Sequence, residues 1–233
     1  MRKISAVVAA AAVCLASGAA ATGCSGSAAT DERSAGQLLD DAYRTMKSLK
    51  SVTVDGDVRS AGGKRSANHL TTDLRATCTF KSSSESGAAL EQIRIEGTDY
   101  IRPNRAYLEQ WSGRKTPSAA EPGRWIKKPS SESVPGDGLS DCTWPFTAFG
   151  RAKKSGAASV DGRRAIALVV TDEKVENGTY TLYVAAEGKP YLLEVDYKGT
   201  DFHTTTTFSA FDEPLEVKPP AEDELLDLSG TDG

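Results

Sequence analysis

The residues able to do chemistry are few and widely spaced. The cysteines are Cys14, Cys24, Cys78 and Cys142, and the histidines are His69 and His203. A zinc site needs several thiolates or imidazoles at short spacing. Only His69 comes near either of the last two cysteines, so no metal site is expected. No H-E-x-x-H, G-x-S-x-G or phosphate-cradling glycine loop occurs. Gly23-Cys24-Ser25 imitates a nucleophile turn only in outline. The acidic run Glu222-Asp223-Glu224 lacks the spacing of a calcium loop. Asn177-Gly178-Thr179 matches a glycosylation sequon but reads as a turn. The dispersed carboxylates single out no acid pair, and both histidines are expected on strand surfaces in solvated or structural roles. These observations predict no catalytic residues, no cofactor and no enzymatic activity.

Chemistry gathers instead at Cys24. Arg2 and Lys3 are followed by an uncharged, Ala-, Val- and Leu-rich run from Ile4 to Thr22. Cations followed by an apolar stretch and small residues make a secretory signal, here residues 1–23. A retained membrane span fits less well, because Ser17 and Gly18 interrupt the run and no basic flank stops it. Ala21-Thr22-Gly23-Cys24 resembles the lipobox of bacterial lipoproteins, with Ala21 where Leu is usual. Cys14 fits less well because Val13 is too large for the residue preceding cleavage. The resemblance implies a diacylglyceryl thioether on the Cys24 sulfur. The alternative is ordinary cleavage that leaves a free thiol. Two acyl chains, at about 0.8 kcal/mol per buried methylene, suffice for a stable anchor. Residues 24–33 are small and polar and form the tether. The expected location is the extracytoplasmic face of the cell membrane.

Removal of residues 1–23 leaves 210 of the 233, enough for one domain with a core. The 28 basic residues, less Arg2 and Lys3, stand against 32 acidic ones, so the mature chain carries −6. That balance argues against nucleic acid and against a polybasic grip on lipid. In an oxidising compartment Cys78 and Cys142 are expected to form one disulfide, with two free thiols or a metal pair as alternatives.

The elements that must position these residues follow from periodicity. Ser34 and Gln37 have capping-box spacing, and Leu38, Leu39, Ala42, Met46 and Leu49 share one helical face. The period then changes to two. Val52, Val54 and Val58 mark a first strand, and Leu70, Thr72, Leu74, Ala76, Cys78 and Phe80 share one face of a long second one. Ile93 and Ile95 mark a third, and Tyr100-Ile101 begins a fourth. The middle, 103–157, concentrates prolines and holds all three tryptophans. It predicts a short helix over Ala106–Trp111, loops over 112–138, and a short aromatic helix or turn over 142–149, pinned by the disulfide to the second strand. After residue 158 strands return at Ile166–Val170, Tyr180–Val184, Leu193–Tyr197 and 202–210, joined by short turns that favour an antiparallel meander. The predicted class is α+β. A curved, mostly antiparallel sheet of eight or more strands, a half-barrel, wraps over the N-terminal helix and the short helices of the middle insert. The domain spans 34–218, and 219–233 is an acidic, disordered tail.

Several stretches, in order, resemble actinobacterial lipoproteins of the LppX/LprG type. They are Leu49-Lys-Ser-Val-Thr-Val-Asp-Gly-Asp-Val58, Gly97-Thr-Asp-Tyr-Ile101, Gly123-Arg-Trp-Ile-Lys127, Gly188-Lys-Pro-Tyr-Leu-Leu193 and Phe208-Ser-Ala-Phe-Asp-Glu-Pro214. The resemblance covers most of 34–218. It implies the LolA/LolB architecture, an antiparallel half-barrel over helices with an internal hydrophobic cavity, and lipid or lipidated glycan as ligand. Candidate ligand-binding residues are Leu74, Ile93, Trp111, Trp125, Phe146 and Leu168, each with ordinary core packing as the alternative. The family pattern does not include the Cys78–Cys142 pair, and the aromatic stretch 142–149 could fill the cavity rather than line it. Three functions are weighed. One is a monomeric lipid binder or carrier held at the membrane by Cys24. Another is an envelope protein with a filled core and a membrane-protein partner. The third is an enzyme, which the missing motifs disfavour.

Overall fold

The computed structural model describes residues 32–113, 123–134, 136–172 and 178–226. The signal peptide, Cys24, nearly all of the tether and Asn177 lie outside the described residues. No described helix is long and apolar enough to cross a membrane.

Helix α1 runs Ala35–Lys47. The Ser34 hydroxyl accepts from the Gln37 backbone N–H, and the Gln37 side chain accepts from the Ser34 N–H, closing the capping box. Leu38, Leu39, Ala42, Tyr43 and Met46 are buried at helical spacing, and Arg44 and Lys47 sit in the last turn, where the helix dipole favours cations.

Eleven strands follow the order β1 (Val52–Ser60), β2 (Arg65–Thr72), β3 (Cys78–Ser84), β4 (Ala89–Ile95), β5 (Thr98–Pro103), β6 (Ile126–Pro129), β7 (Arg151–Val160), β8 (Arg163–Thr171), β9 (Gly178–Ala185), β10 (Leu192–Gly199) and β11 (Phe202–Ser209). Helix α2, Arg105–Ser112, lies between β5 and β6. All pairings are antiparallel, in the spatial order β6-β5-β4-β3-β2-β1-β11-β10-β9-β8-β7. Only β1 against β11 pairs strands that are not consecutive in the chain. The sheet is open and curved, the half-barrel that the sequence predicts.

Three expectations about elements are corrected. The long second strand is two, because a turn at 73–77 breaks it. One Asp73 carboxylate oxygen accepts from the backbone N–H groups of Arg75, Ala76 and Thr77, each at 2.9 Å, and Leu74 is forced to φ +62°. Burial alone would raise the Asp73 carboxyl, but these donors hold it below its ordinary value. The aromatic stretch 142–149 holds no helix; it is coil with a bend at Cys142 and one tight turn at Pro145–Thr147. Strand β7, absent from the expected set, has mostly exposed Ala, Lys and Ser and so no apolar alternation.

The main core lies on the inner, concave face. Val54, Leu70, Leu168, Leu182, Val184 and Phe208 meet α1 and the coil residues Cys142 and Phe146 there. A small second cluster on the outer face joins Val160, Ala165, Ala185 and Leu193, with Tyr191 and Phe211 packed against it.

The start of the acidic tail is also corrected. Residues 222–224 form a 3-10 turn, and Leu225 makes a parallel bridge to Trp125. The Trp125 N–H donates to Glu224 O at 3.0 Å, and the Leu226 N–H donates to Trp125 O at 2.8 Å. The Arg124 guanidinium also donates to the carbonyls of Asp223 and Leu225. Backbone donors and acceptors left open beside the edge strand β6 explain why so polar a segment is held. Residues 227–233 lie outside the described residues. Truncation after Pro220 is expected to red-shift the intrinsic tryptophan emission as Trp125 loses this cover. It should also lower stability by about 1–2 kcal/mol, the worth of the two lost backbone bonds. A fluorescence-detected urea titration measures both.

Candidate functional site: the inner face and its aromatic crossing segment

The sheet register divides the side chains between two faces. Val52 and Val54, Leu70 and Thr72, Cys78 and Phe80, and Leu90, Gln92 and Arg94 all point inward. From the far side come Leu168, Val170, Leu182, Val195, Tyr197 and Phe208. After β6 the chain crosses this face from one sheet edge to the other, reaching β7 at Arg151.

The crossing begins at a buried polar clamp. The Arg94 guanidinium grips the Asp99 carboxylate with two bonds of 2.7 Å. Asp99 is fully buried. Ser133 Oγ donates to its second oxygen at 2.8 Å, and the Gln92 amide donates to its first at 2.9 Å. Gln92 also bonds the backbone of Ser140, donating to its carbonyl and accepting from its N–H at 2.8 Å. Burial works against the Asp99 charge, but Arg94, Gln92 and Ser133 outweigh it and hold the carboxyl below the usual range. Every buried polar side chain in the clamp has a partner, so it reads as structural, fastening Ser133 and Ser140 to β4 and β5.

Next comes the disulfide. Cys78 and Cys142 are bonded, and both are fully buried. The Thr72 hydroxyl, also buried, donates to the Cys142 carbonyl and accepts from the Leu74 N–H. Beyond Cys142, Trp144 stands edge-on to Phe208, with ring centres 5.8 Å apart, and Phe146 meets the same ring at 5.7 Å. Phe149 meets Tyr180 at 4.8 Å, Tyr180 meets Tyr197 at 4.6 Å, and Tyr197 meets Phe202 at 5.1 Å. This row of rings runs from the crossing segment to the sheet margin, where Phe202 is exposed. It is made possible by Gly178 and Gly199, a cross-strand pair. A Cβ on Gly178 would lie 2.4 Å from a Tyr197 ring carbon, and one on Gly199 2.6 Å from the Tyr197 hydroxyl. Burial, with Tyr180 beside it, pushes the Tyr43 phenol on α1 up to about 12, so it stays neutral under the row.

The six candidate ligand residues do not form one site. Leu74 sits half-buried on the 73–77 turn against the main core. Phe146 and Leu168 are in that core, 5 % and 0 % exposed. Ile93 points outward instead, because β4 turns Leu90, Gln92 and Arg94 in. Its neighbours in an open outer groove are Thr79, Lys81, Glu91 and Trp125. Trp125 is buried on that outer side, with the Arg102 guanidinium 4.5 Å above its ring. Trp111 is 61 % exposed on α2 and stacks on Tyr107. The clamp and the aromatic row escaped the sequence reading. Gln92 and Arg94 look like outward residues beside Ile93 and Ile95, and Tyr180, Tyr197 and Phe202 carry no sign of their adjacency.

Both histidines lie on the outer face beside aspartates, His69 Nδ1 2.6 Å from Asp55 and His203 Nε2 2.7 Å from Asp196. Thr71 Oγ1 is 3.4 Å from His69 Nε2, so Asp55, His69 and Thr71 follow the order of a hydrolytic relay. The row is exposed, and β2 is hydrogen-bonded to strands on both sides, so no backbone N–H is left to stabilise an oxyanion. It is a cross-strand surface pair. Among the described residues no cluster of His, Cys, Asp or Glu could hold a metal.

The open antiparallel half-barrel carries one N-terminal helix and a long crossing segment on its inner face. The fold is that of LprF from Mycobacterium bovis. The two superpose with a TM-score of 0.53 at 13 % identity, over 80 % of this chain and 97 % of LprF. Lipoprotein LppX of Mycobacterium tuberculosis is also similar, with a TM-score of 0.47 at 14 % identity over 78 % of this chain and 99 % of LppX. The MucA/MucB complex structure of Pseudomonas aeruginosa gives 0.40 at 16 % identity, over 84 % of this chain and 61 % of that one. No protein-family model matches the sequence, and no curated protein matches it. The LppX/LprG-type resemblance read from the sequence is thus shown as a likeness of fold.

Proposed function

We propose that this chain is a lipoprotein anchored through Cys24 on the extracytoplasmic face of the membrane, where as a monomer it binds or carries a lipid or other apolar ligand on the inner face of its half-barrel. The observation that carries the reading is the cover of that face. A wall of Leu, Val and Phe is closed over by one helix and a coil segment rather than by a second sheet. An acyl chain laid on such a wall gains about 0.8 kcal/mol per methylene removed from water. The Cys78–Cys142 bond supports export, since cytosolic thiols stay reduced. A second reading, an envelope protein that binds a membrane-protein partner, is favoured by one specific observation. Phe146 and Leu168 already fill the core, while Trp111, Val134 and Phe202 stand exposed.

Native mass spectrometry of the chain purified from a host with a complex lipid envelope separates the two. Under the first reading a co-purifying mass is released on denaturation as lipid. A bare mass that persists after incubation with envelope lipid extract moves the assignment to the partner-binding reading. The anchor is tested by Cys24→Ala, which is expected to release the protein from membranes or leave it unprocessed. A mature-sized, unacylated variant that still sediments with membranes would refute it.

A further inference from the structure

The inner face has two unlike halves. The half under the crossing segment is apolar, with Val54, Leu168, Val170, Leu182 and Phe208 in one cluster with Phe146. Away from it the register points Ser66, Asn68, Ser82, Thr204 and Thr206 inward, all half-buried. A hydrocarbon chain gains less from this second half, where Val58, Val195 and Tyr197 are interleaved with hydroxyls and amides that would lose water without gaining partners. The surface that suits an acyl chain is therefore the one that residues 143–149 cover.

That cover is fastened at its ends and loosely held between them. At one end Cys142 is bolted to β3 by the disulfide, and Thr72 bonds its carbonyl. At the other, Gly150 at φ +65° lies flush on β8, where a Cβ would stand 2.4 Å from the Thr171 carbonyl oxygen. Between these anchors residues 143–149 belong to no helix or strand. Outside the ladders, their one backbone-to-backbone hydrogen bond among the described residues is internal, Thr147 N–H to Pro145 O at 2.9 Å. Thr143, Pro145, Thr147 and Ala148 are exposed, so among the described residues the segment is held down by Trp144, Phe146 and Phe149. A segment with few backbone bonds opens at lower cost than the sheet beneath it.

We propose that residues 143–149 are a displaceable plug. It lifts between its fixed ends at Cys142 and Gly150, and an acyl chain takes the place of Trp144 and Phe146 against Phe208 and of Phe149 against Tyr180. The rings are surrogates for the ligand: similar apolar contacts are exchanged, so the wall stays dry in both arrangements. The disulfide keeps the displaced plug attached. This inference rests on the lipid-binding reading above.

The test is iodide quenching of Trp144 emission in the full chain carrying Trp111→Phe and Trp125→Phe, with and without dioleoyl phosphatidylglycerol, alongside lipid retention by the unaltered chain and by Trp144→Ala. The expected result is that bound lipid shifts Trp144 emission to the red and raises its quenching by about threefold or more, as the ring leaves Phe208. Trp144→Ala is expected to retain more lipid than the unaltered chain. Retention by Trp144→Ala alone also supports the plug, since weakening its hold then uncovers the site. Lipid retained with unchanged or lower quenching of Trp144 overturns the plug and leaves the lipid-binding reading standing. Retention by neither chain overturns both.

Discussion

Replacing Asp99 by Ala is expected to lower the free energy of unfolding by about 3–5 kcal/mol, because it strands the Arg94 guanidinium in the interior with its bidentate partner gone. Chemical denaturation read by far-UV circular dichroism measures the loss. The cost is that of breaking a buried pair, not the net worth of having one. Replacing both members by Leu and Met is therefore expected to recover most of it, and a double-mutant cycle separates the two quantities. The same clamp fixes a pH dependence. The Asp99 carboxyl is held below its unfolded value, so above about pH 4 it is ionised in both states and the clamp contributes in full. As the pH falls, the unfolded chain takes up the proton first, and the contribution disappears as pH passes through the lower folded value. Stability is expected to fall in acid more steeply for the unaltered chain than for the Leu/Met pair. Parallel acid slopes would remove Asp99 from the account.

Loss of the Cys78–Cys142 bond is the second large effect. The two residues are 64 apart in sequence, and closing a loop of that length restricts the unfolded chain by about 4 kcal/mol in the chain-entropy account. Cys78→Ser, Cys142→Ser and the double variant should each lose a similar amount, since either substitution opens the same loop. Non-additive, near-equal losses in urea denaturation are the expected signature. A single variant much worse than the double would point to a buried unpaired thiol as the cause instead. The loss has a local consequence too. Cys142 is the fixed point from which Trp144 and Phe146 reach Phe208, so both serine variants should show faster hydrogen exchange in the crossing segment than in β8 and β9.

How much of the molecule was legible can be judged residue by residue. Helix α1 was, because its capping box and its buried stripe are local patterns with one geometric solution. Most strands and the antiparallel order followed from alternation and short turns. The split of the second strand was not foreseen. Leu70 to Phe80 keep their alternation through the break, and the deciding event is one carboxylate of Asp73 gathering three backbone donors. Strand β7 was missed because a strand whose side chains are mostly exposed shows no periodic apolar signal. The face of β4 was read backwards. Ile93 and Ile95 look like the inward pair, but Gln92 and Arg94 turn in because Asp99 and the Ser140 backbone wait there to satisfy them.

By itself the sequence determined what depends on order and composition along the chain. It set the α+β class, the antiparallel meander, the export and lipobox pattern around Cys24, the absence of catalytic and metal motifs, and the two cysteines available to pair. Those features are local, or follow from charge and hydrophobic period. Only the tertiary structure decided what meets across the sheet. It brought Cys142 to Cys78, the 142–149 coil onto Phe208, and the tail onto Trp125. It also sent Ile93 and Trp125 to one outer groove, Trp111 to the exposed side of α2 and Phe146 to the core. Such contacts join residues dozens to a hundred positions apart, where no period or spacing carries information. Packing a concave face with whatever rings and methyl groups the chain can deliver admits many partners in sequence and few in space.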